Sequence, residues 1–199
     1  SMKIVGIACS PRKGKASAHA LEECLKAVQA AVPSMLIEML ELADFEFNGC
    51  VACGKCMKEF KCSQADDFSR IIPSLDDPAL AGIIVATPVY FGTMTSQCKA
   101  FLDRCVIFRR NGFRFHNKVG GVIAVGGVRN GGQELTIQAV HAAMLIWDMV
   151  VVSDGRPTSH FGGTVWSSHP DGVAGDTFGM QTVHNLGKRV AELAFKLHG

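Results

Sequence analysis

An α/β domain with a doubly wound, five-stranded parallel sheet is what this sequence predicts, on three observations. Short, uniformly apolar runs alternate with helically spaced ones along the whole chain. No internal repeat or low-complexity linker interrupts that alternation. The 199 residues are 48% hydrophobic and 19% charged, which suits a single domain over 1–199 with a full core.

Residues 3–9 read as a buried strand, and 17–32 as a helix whose Leu21, Cys24, Leu25 and Val28 share one face. Residues 35–42 form the second strand. A short helix follows at 67–75, with Phe68, Ile71, Ile72 and Leu75 inward and Asp66 or Asp67 as its cap. Residues 83–87 make the third strand, 95–108 a helix, 119–125 the fourth strand, 133–147 a helix, 150–153 the fifth strand and 176–197 the last helix. Strands that are apolar throughout, rather than alternating, belong to a parallel sheet covered on both faces. Five of them suit the flavodoxin-like order 2-1-3-4-5. The irregular stretches are 43–64, a cysteine-rich loop after the second strand, and 154–175; long loops in a compact domain are usually functional or mobile.

Composition excludes several partners. A formal net charge of +2 is too small to argue for nucleic acid. The longest apolar runs, 82–89 and 119–125, fall far short of a membrane span. The opening SMKIVGIACSPR has no cleavage-site pattern and so does not read as a signal peptide, which points to the cytoplasm. Thiols stay reduced there, so clustered cysteines bind metal or do redox chemistry more often than they pair.

In an open parallel sheet, ligands sit beyond the carboxyl ends of the strands. The loop after the first strand, CSPRKGKAS, offers hydroxyls at Ser10 and Ser17, cations at Arg12, Lys13 and Lys15, and a flexible Gly14, all leading into a helix N-terminus. Free amides, the helix dipole and cations together suit a phosphate; a capped helix with solvated basic residues has the same composition. The dinucleotide fingerprint GxGxxG is absent, and Ala16 stands where a P-loop needs Ser or Thr. A cysteine phosphatase loop counted from Cys9 would place Lys15 and Ala16 where Arg and a hydroxyl belong. After the third strand, TPVYFGTMTSQCKAFLDR supplies a stiff Pro88, flat apolar surface at Tyr90 and Phe91, Gly92 for close approach, and Thr95 or Ser96 as a helix cap. A planar aromatic ligand suits that wall, as does ordinary packing. After the fourth strand, GGVRNGGQE places Gly126, Gly127, Gly131 and Gly132 within seven residues, which suggests backbone near a ligand.

In order along almost the whole chain, these three loops resemble the FMN-contacting loops of the NADPH-dependent FMN reductase branch of flavodoxin-like proteins. The ending DTFGMQTVHNLGKRVAELA is similar to that branch's closing helix. The resemblance implies FMN. Ser10, Arg12, Lys15 and Ser17 would lie at its phosphate, and Thr87, Pro88, Val89, Tyr90, Phe91, Gly92, Gly126, Gly127, Asn130 and Gly131 along its ring. Cys9 and Ala16 depart from the branch, which often has Gly and Asn there.

Half of the eight cysteines, Cys50, Cys53, Cys56 and Cys62, fall within NGCVACGKCMKEFKC. Three at successive three-residue intervals with a fourth nearby approach the ferredoxin run that holds a cubane. Structural zinc more often uses two pairs separated by a longer segment, so spacing favours iron and sulfur while leaving zinc open. Gly49 and Gly54 would relieve strain in so tight a loop. A compact cysteine motif at this place in an FMN-reductase-like chain resembles the iron-sulfur flavoprotein family. That resemblance implies a 4Fe-4S cluster on these four thiols, FMN, and a homodimer or homotetramer in which one subunit's cluster lies near another's flavin. It further implies an oxidoreductase passing electrons from a carrier such as ferredoxin through the cluster to FMN, then to a small acceptor such as oxygen, peroxide or a quinone. No dedicated catalytic acid or base is required.

Two other readings stand beside it: an NAD(P)H-dependent FMN or quinone reductase without a cluster, and a non-enzymatic electron-transfer flavoprotein. Cys9, Cys24, Cys98 and Cys105 read as buried small hydrophobes. Lys55, Lys58 and Lys61, interleaved with the clustered thiols, and Arg109, Arg110 and Arg114 read as a solvated basic surface or a docking site for an acidic donor. The seven scattered histidines give a histidine metal site little support.

Overall fold

Runs of Val, Ile and Ala that are apolar on every residue leave the water only when covered from both sides, and that requirement orders the layers. A computed structural model, describing residues 1–199, places β1 (Lys3–Ala8), β2 (Leu36–Glu41), β3 (Leu80–Pro88), β4 (Val119–Gly126) and β5 (Val150–Val151) in a parallel sheet of order β2-β1-β3-β4-β5. The order 2-1-3-4-5 expected from the alternation is therefore the order found. Every residue of β1 and β4 is buried, whereas β2, at the sheet edge, stays partly exposed.

Helices α1 (Ala16–Ala31) and α6 (Thr177–His198) cover one face. The core there holds Ile4, Leu21, Ile84, Ile123, Val183 and Leu186. Helices α2 (Phe68–Leu75), α3 (Ser96–Arg104), α4 (Val106–Arg110) and α5 (Gln133–Ile146) lie on the other face, over Val5, Ile83, Phe101, Phe108 and Val122.

Two differences from the sequence reading have physical causes. The stretch 154–175 is not wholly irregular: β6 (Gly163–Trp166) pairs in parallel with Ile123–Gly126 of β4, while β5 pairs only with Val119 and Gly120. The fifth lane of the sheet is thus built from two short pieces; the first falls within the strand expected at 150–153, and the second, GTVW, has only Val165 and Trp166 as an apolar run. The helix expected over 95–108 breaks at Cys105, whose amide is shared between the Phe101 and Asp103 carbonyls, a tightening that ends α3 and starts α4. At α2 the cap is Asp66, whose Oδ1 accepts the Phe68 amide at 3.3 Å while the same carboxylate pairs with Arg104; Asp67 Oδ2 takes the Glu46 amide at 2.9 Å.

Candidate functional site

Beyond the carboxyl ends of β1, β3, β4 and β6 lies a cleft of about 450 Å³, lined by Ser10, Arg12, Lys15, Ala16, Ser17, Pro88, Val89, Tyr90, Val125, Gly127, Ser167 and Ser168. Its size is that of an ordinary cofactor pocket. At one end, α1 begins without a side-chain cap, so its first amides are free to meet an anion. The loop ahead of it is held from outside: Lys13 Nζ pairs with Asp44 at 2.7 Å and the Gly14 amide donates to Glu41 at 2.8 Å. Arg12 and Lys15 border the cleft without an acidic partner. Hydroxyls, two unpaired cations and open amides fit a phosphate; Pro88, Val89, Tyr90 and Val125 fit a flat ring.

The remaining loop residues have other places. Thr87 is fully buried; its hydroxyl donates to the Pro88 carbonyl at 3.0 Å and accepts the Thr95 amide at 3.3 Å, which fixes the turn. Thr95 is the α3 cap, accepting the Cys98 amide at 3.1 Å and donating to the Cys9 carbonyl at 2.7 Å, so it ties two loops together. Phe91 and Gly92 occupy the tip of a turn closed by Tyr90 and Thr93, with the Phe91 ring fully exposed. Asn130 borders a neighbouring pocket with Arg129, His160 and Phe178.

The glycines of the third loop divide by cause. A Cβ on Gly126 would overlap the Gln133 amide, and one on Gly131 would come within 2.8 Å of the Val128 carbonyl, so both are small because the loop folds on itself. Buried Gln133 holds that loop, donating to Val128 and Val165 carbonyls at 2.7 and 3.2 Å and accepting from Gly131 at 2.8 Å. At Gly127 the nearest outside atom is Ser168 Oγ at 4.0 Å, and only this glycine of the loop lines the cleft. Ser167 and Ser168 escaped the sequence reading because they follow β6. The one available signal was TVW, a β-favouring run after two glycines.

A second pocket is formed by the cysteine loop against α3 and α4. Cys50, Cys53, Cys56 and Cys62 all line it, with Val51, Gly54, Ser63, Gln64, Arg104, Val106, Ile107 and Arg110. The loop is pinned: Asn111 Nδ2 donates to the Cys56 carbonyl at 2.9 Å, Gln64 Nε2 to the Gly49 carbonyl at 3.0 Å, and Phe60 meets Phe108 edge-on. Gly54 adopts φ +76°, as the tight spacing requires, but the other left-handed residue is Ala52 at φ +53° rather than Gly49. Ser63 Oγ lies 2.9 Å from Cys53 Sγ, and this contact, with the Lys55 amide, holds the Cys53 thiol below its ordinary value and favours the ligating thiolate. Arg104 Nη2 donates to Cys62 Sγ and Arg110 Nη1 to Cys56 Sγ, each at 3.3 Å.

Four soft donors, two of them met by guanidinium N–H groups, are a set suited to iron and sulfur or to zinc. All four line one pocket, so a single bound group would be shared among them.

The other thiols are interior. Cys9, Cys24, Cys98 and Cys105 are fully buried, and burial pushes the thiols of Cys9, Cys24 and Cys105 well up. A neutral Cys9 leaves the phosphatase reading without a nucleophile. Arg109 and Arg114 are engaged internally, Arg109 with the Ile146 carbonyl and Arg114 with Asp76 and the Phe60 ring. The two pockets share no residue. No helix is long and apolar enough to cross a membrane.

The family described as NADPH-dependent FMN reductase matches residues 2–163. An iron-sulfur flavoprotein of Methanocaldococcus jannaschii is 43% identical over 192 residues, 96% of this chain and 97% of that protein. One from Methanosarcina thermophila is 41% identical over 197 residues, covering 96% and 95%. An NAD(P)H dehydrogenase (quinone) of Paracoccus denitrificans is 44% identical over 80 residues, 40% of this chain and 37% of that protein. Among solved structures, a WrbA-like flavodoxin of Agrobacterium tumefaciens superposes with a TM-score of 0.64 at 20% identity, over 98% of this chain and 99% of that one, a likeness of fold. With a flavin-sized cleft at the strand ends and four thiols gathered in the loop after β2, the chain belongs to the iron-sulfur flavoprotein family, within the NADPH-dependent FMN reductase branch of flavodoxin-like proteins, and is a flavin-dependent oxidoreductase.

Proposed function

We propose that this protein takes single electrons from a carrier such as ferredoxin onto a 4Fe-4S cluster and delivers them through FMN to a small acceptor such as oxygen, peroxide or a quinone. The observation that supports it most is the gathering of Cys50, Cys53, Cys56 and Cys62 around one pocket. When bound, the cluster supplies one-electron transfer and the flavin couples it to two-electron chemistry. The chain's own part is to bind and orient. Ser10, Arg12, Lys15, Ser17 and the open amides of α1 hold the phosphate. Pro88, Val89, Tyr90 and Val125 exclude water from one side of the ring, and Gly127 leaves room for it. No side chain is assigned a proton transfer.

Exposed Lys58 and Lys61 at the rim of the thiol loop suit an acidic carrier. Because no residue lines both pockets, a homodimer or homotetramer that sets one subunit's thiol loop against another's cleft would bring the two cofactors together. Sedimentation of anaerobic protein checks that, and a monomer would contradict it.

Cys53→Ser is expected to keep FMN and lose electron delivery from reduced ferredoxin; delivery at the normal rate would sink the proposal. The partial likeness to a quinone-reducing dehydrogenase favours a second reading, an NAD(P)H-dependent FMN or quinone reductase without a cluster. Rapid flavin reduction by NADPH that is indifferent to Cys53→Ser would establish it.

A further inference from the structure

Arg104 is sealed beneath the thiol loop at 3% exposure, an expensive place for a guanidinium. Its last-turn position on α3 aims the fork at three groups. Asp66 receives Nη1 and Nη2 at 2.7 and 2.8 Å, the Asn48 carbonyl receives Nη1 at 2.8 Å, and Cys62 Sγ receives Nη2 at 3.3 Å. The Phe68 ring lies under the guanidinium at 4.7 Å. Nε is buried with no partner at all. A well-packed apolar residue could replace a buried ion pair with little loss, and often with a gain. What an apolar residue could not do is donate a hydrogen bond to the sulfur. Asn48 and Asp66 bracket the cysteine loop in sequence, so the same guanidinium clasps both ends of the segment that carries the ligands.

We propose that Arg104 is a positioning residue for the Cys62 ligand, fixing its sulfur and raising the reduction potential of the group the four thiolates hold. The inference rests on the cluster reading above. Asp66 offsets the guanidinium's charge, so its long-range field is small; the N–H directed at the sulfur remains and stabilises the electron-rich state. Arg110 makes the same bond to Cys56 from an exposed position, where water substitutes for it. Buried Arg104 therefore has the larger effect.

The test is a potentiometric titration, followed by electron paramagnetic resonance, of anaerobically prepared holoprotein and three variants. Removing Arg104 alone would strand Asp66, so the informative change is the double variant Arg104→Gln with Asp66→Asn. Its midpoint potential is expected to fall, that of Arg104→Lys to fall less, and that of Arg110→Gln to move least. A double variant with full iron and sulfide and an unshifted potential overturns the proposal. So does one that loses iron while its remaining clusters keep the wild-type potential, since that is a purely structural role. If the double variant does not fold, Arg104→Lys decides, because lysine keeps the charge but cannot serve Asn48, Asp66 and Cys62 together; an unchanged potential there is equally fatal. Unmodified protein without iron and sulfide would defeat the cluster reading itself, before any variant is compared, and this inference with it.

Discussion

At the scale of single residues, two charges matter most, one left without an acidic partner and one tightly paired. Arg12 is one: nothing acidic in the chain engages it, and it borders the cleft beside Ser10 and the open end of α1. Hydrogen bonds to charged groups are worth about 1.5–3 kcal/mol. Arg12→Ala is therefore expected to weaken FMN binding by roughly 10- to 100-fold. Riboflavin, which lacks the phosphate, should bind the variant as it binds the parent; fluorescence titration of both ligands checks it, and an equal loss for riboflavin would move Arg12 to the ring. Asp66 is the second case. The Arg104 guanidinium holds its carboxyl below the usual range, against the opposing effect of burial. A depressed folded value means that this stability is present above the unfolded carboxylate's value of about 3.9 and drains as the pH falls towards the folded one. Asp66→Asn leaves a buried guanidinium uncompensated and is expected to cost about 3–5 kcal/mol at neutral pH. Denaturant unfolding at several pH values should also show a shallower loss of stability on acidification than the parent shows. The four clustered thiols were legible because their spacing lies in thirteen consecutive positions. Arg104 was not, because its partners Asn48, Cys62 and Asp66 are 56, 42 and 38 residues away and only the fold brings them to one point.

At the scale of elements, periodicity exposed the strands whose burial is complete and missed the one whose length is four. β1, β3 and β4 have the long apolar runs that a covered parallel sheet demands, and the helices between them show their inward faces in sequence. β6 escaped because Gly163–Trp166 gains its identity from pairing with β4, a partner some 40 residues earlier, rather than from any pattern of its own. Ser167 and Ser168 were lost with it, although both line the cleft. The glycines of the third loop were visible, but their reasons were not. Gly126→Ala forces a methyl against Gln133 and is expected to destabilise the protein by about 1–3 kcal/mol. Gly127→Ala has open space at 4.0 Å and should leave thermal unfolding of the flavin-free protein within about 0.5 kcal/mol while weakening FMN binding. Calorimetry and flavin titration of the two variants separate the roles; equal unfolding losses would mean that Gly127 too is packed from within.

At the scale of the whole molecule, one sheet organises two pockets that the chain uses differently. The cleft gathers the loops that follow β1, β3, β4 and β6, the position that a doubly wound sheet offers to any ligand. The thiol pocket owes nothing to that rule; it is a loop laid on α3 and α4 and fastened by Asn111, Phe60 and Arg104. The sequence announced the second pocket by residue type and the first by order along the chain. What it left unread was the fastening, which depends on contacts between the thiol loop and residues 104–111, far from it in sequence. The central claim is that the four thiols hold iron and sulfide in a chain that also binds FMN. Its most direct test is absorption and electron paramagnetic resonance of strictly anaerobic protein, with iron, sulfide and FMN assayed on the same sample. The account predicts four irons, four sulfides and one FMN per chain, with a reduced-cluster signal that Cys53→Ser abolishes; FMN alone, or zinc in place of iron, would contradict it.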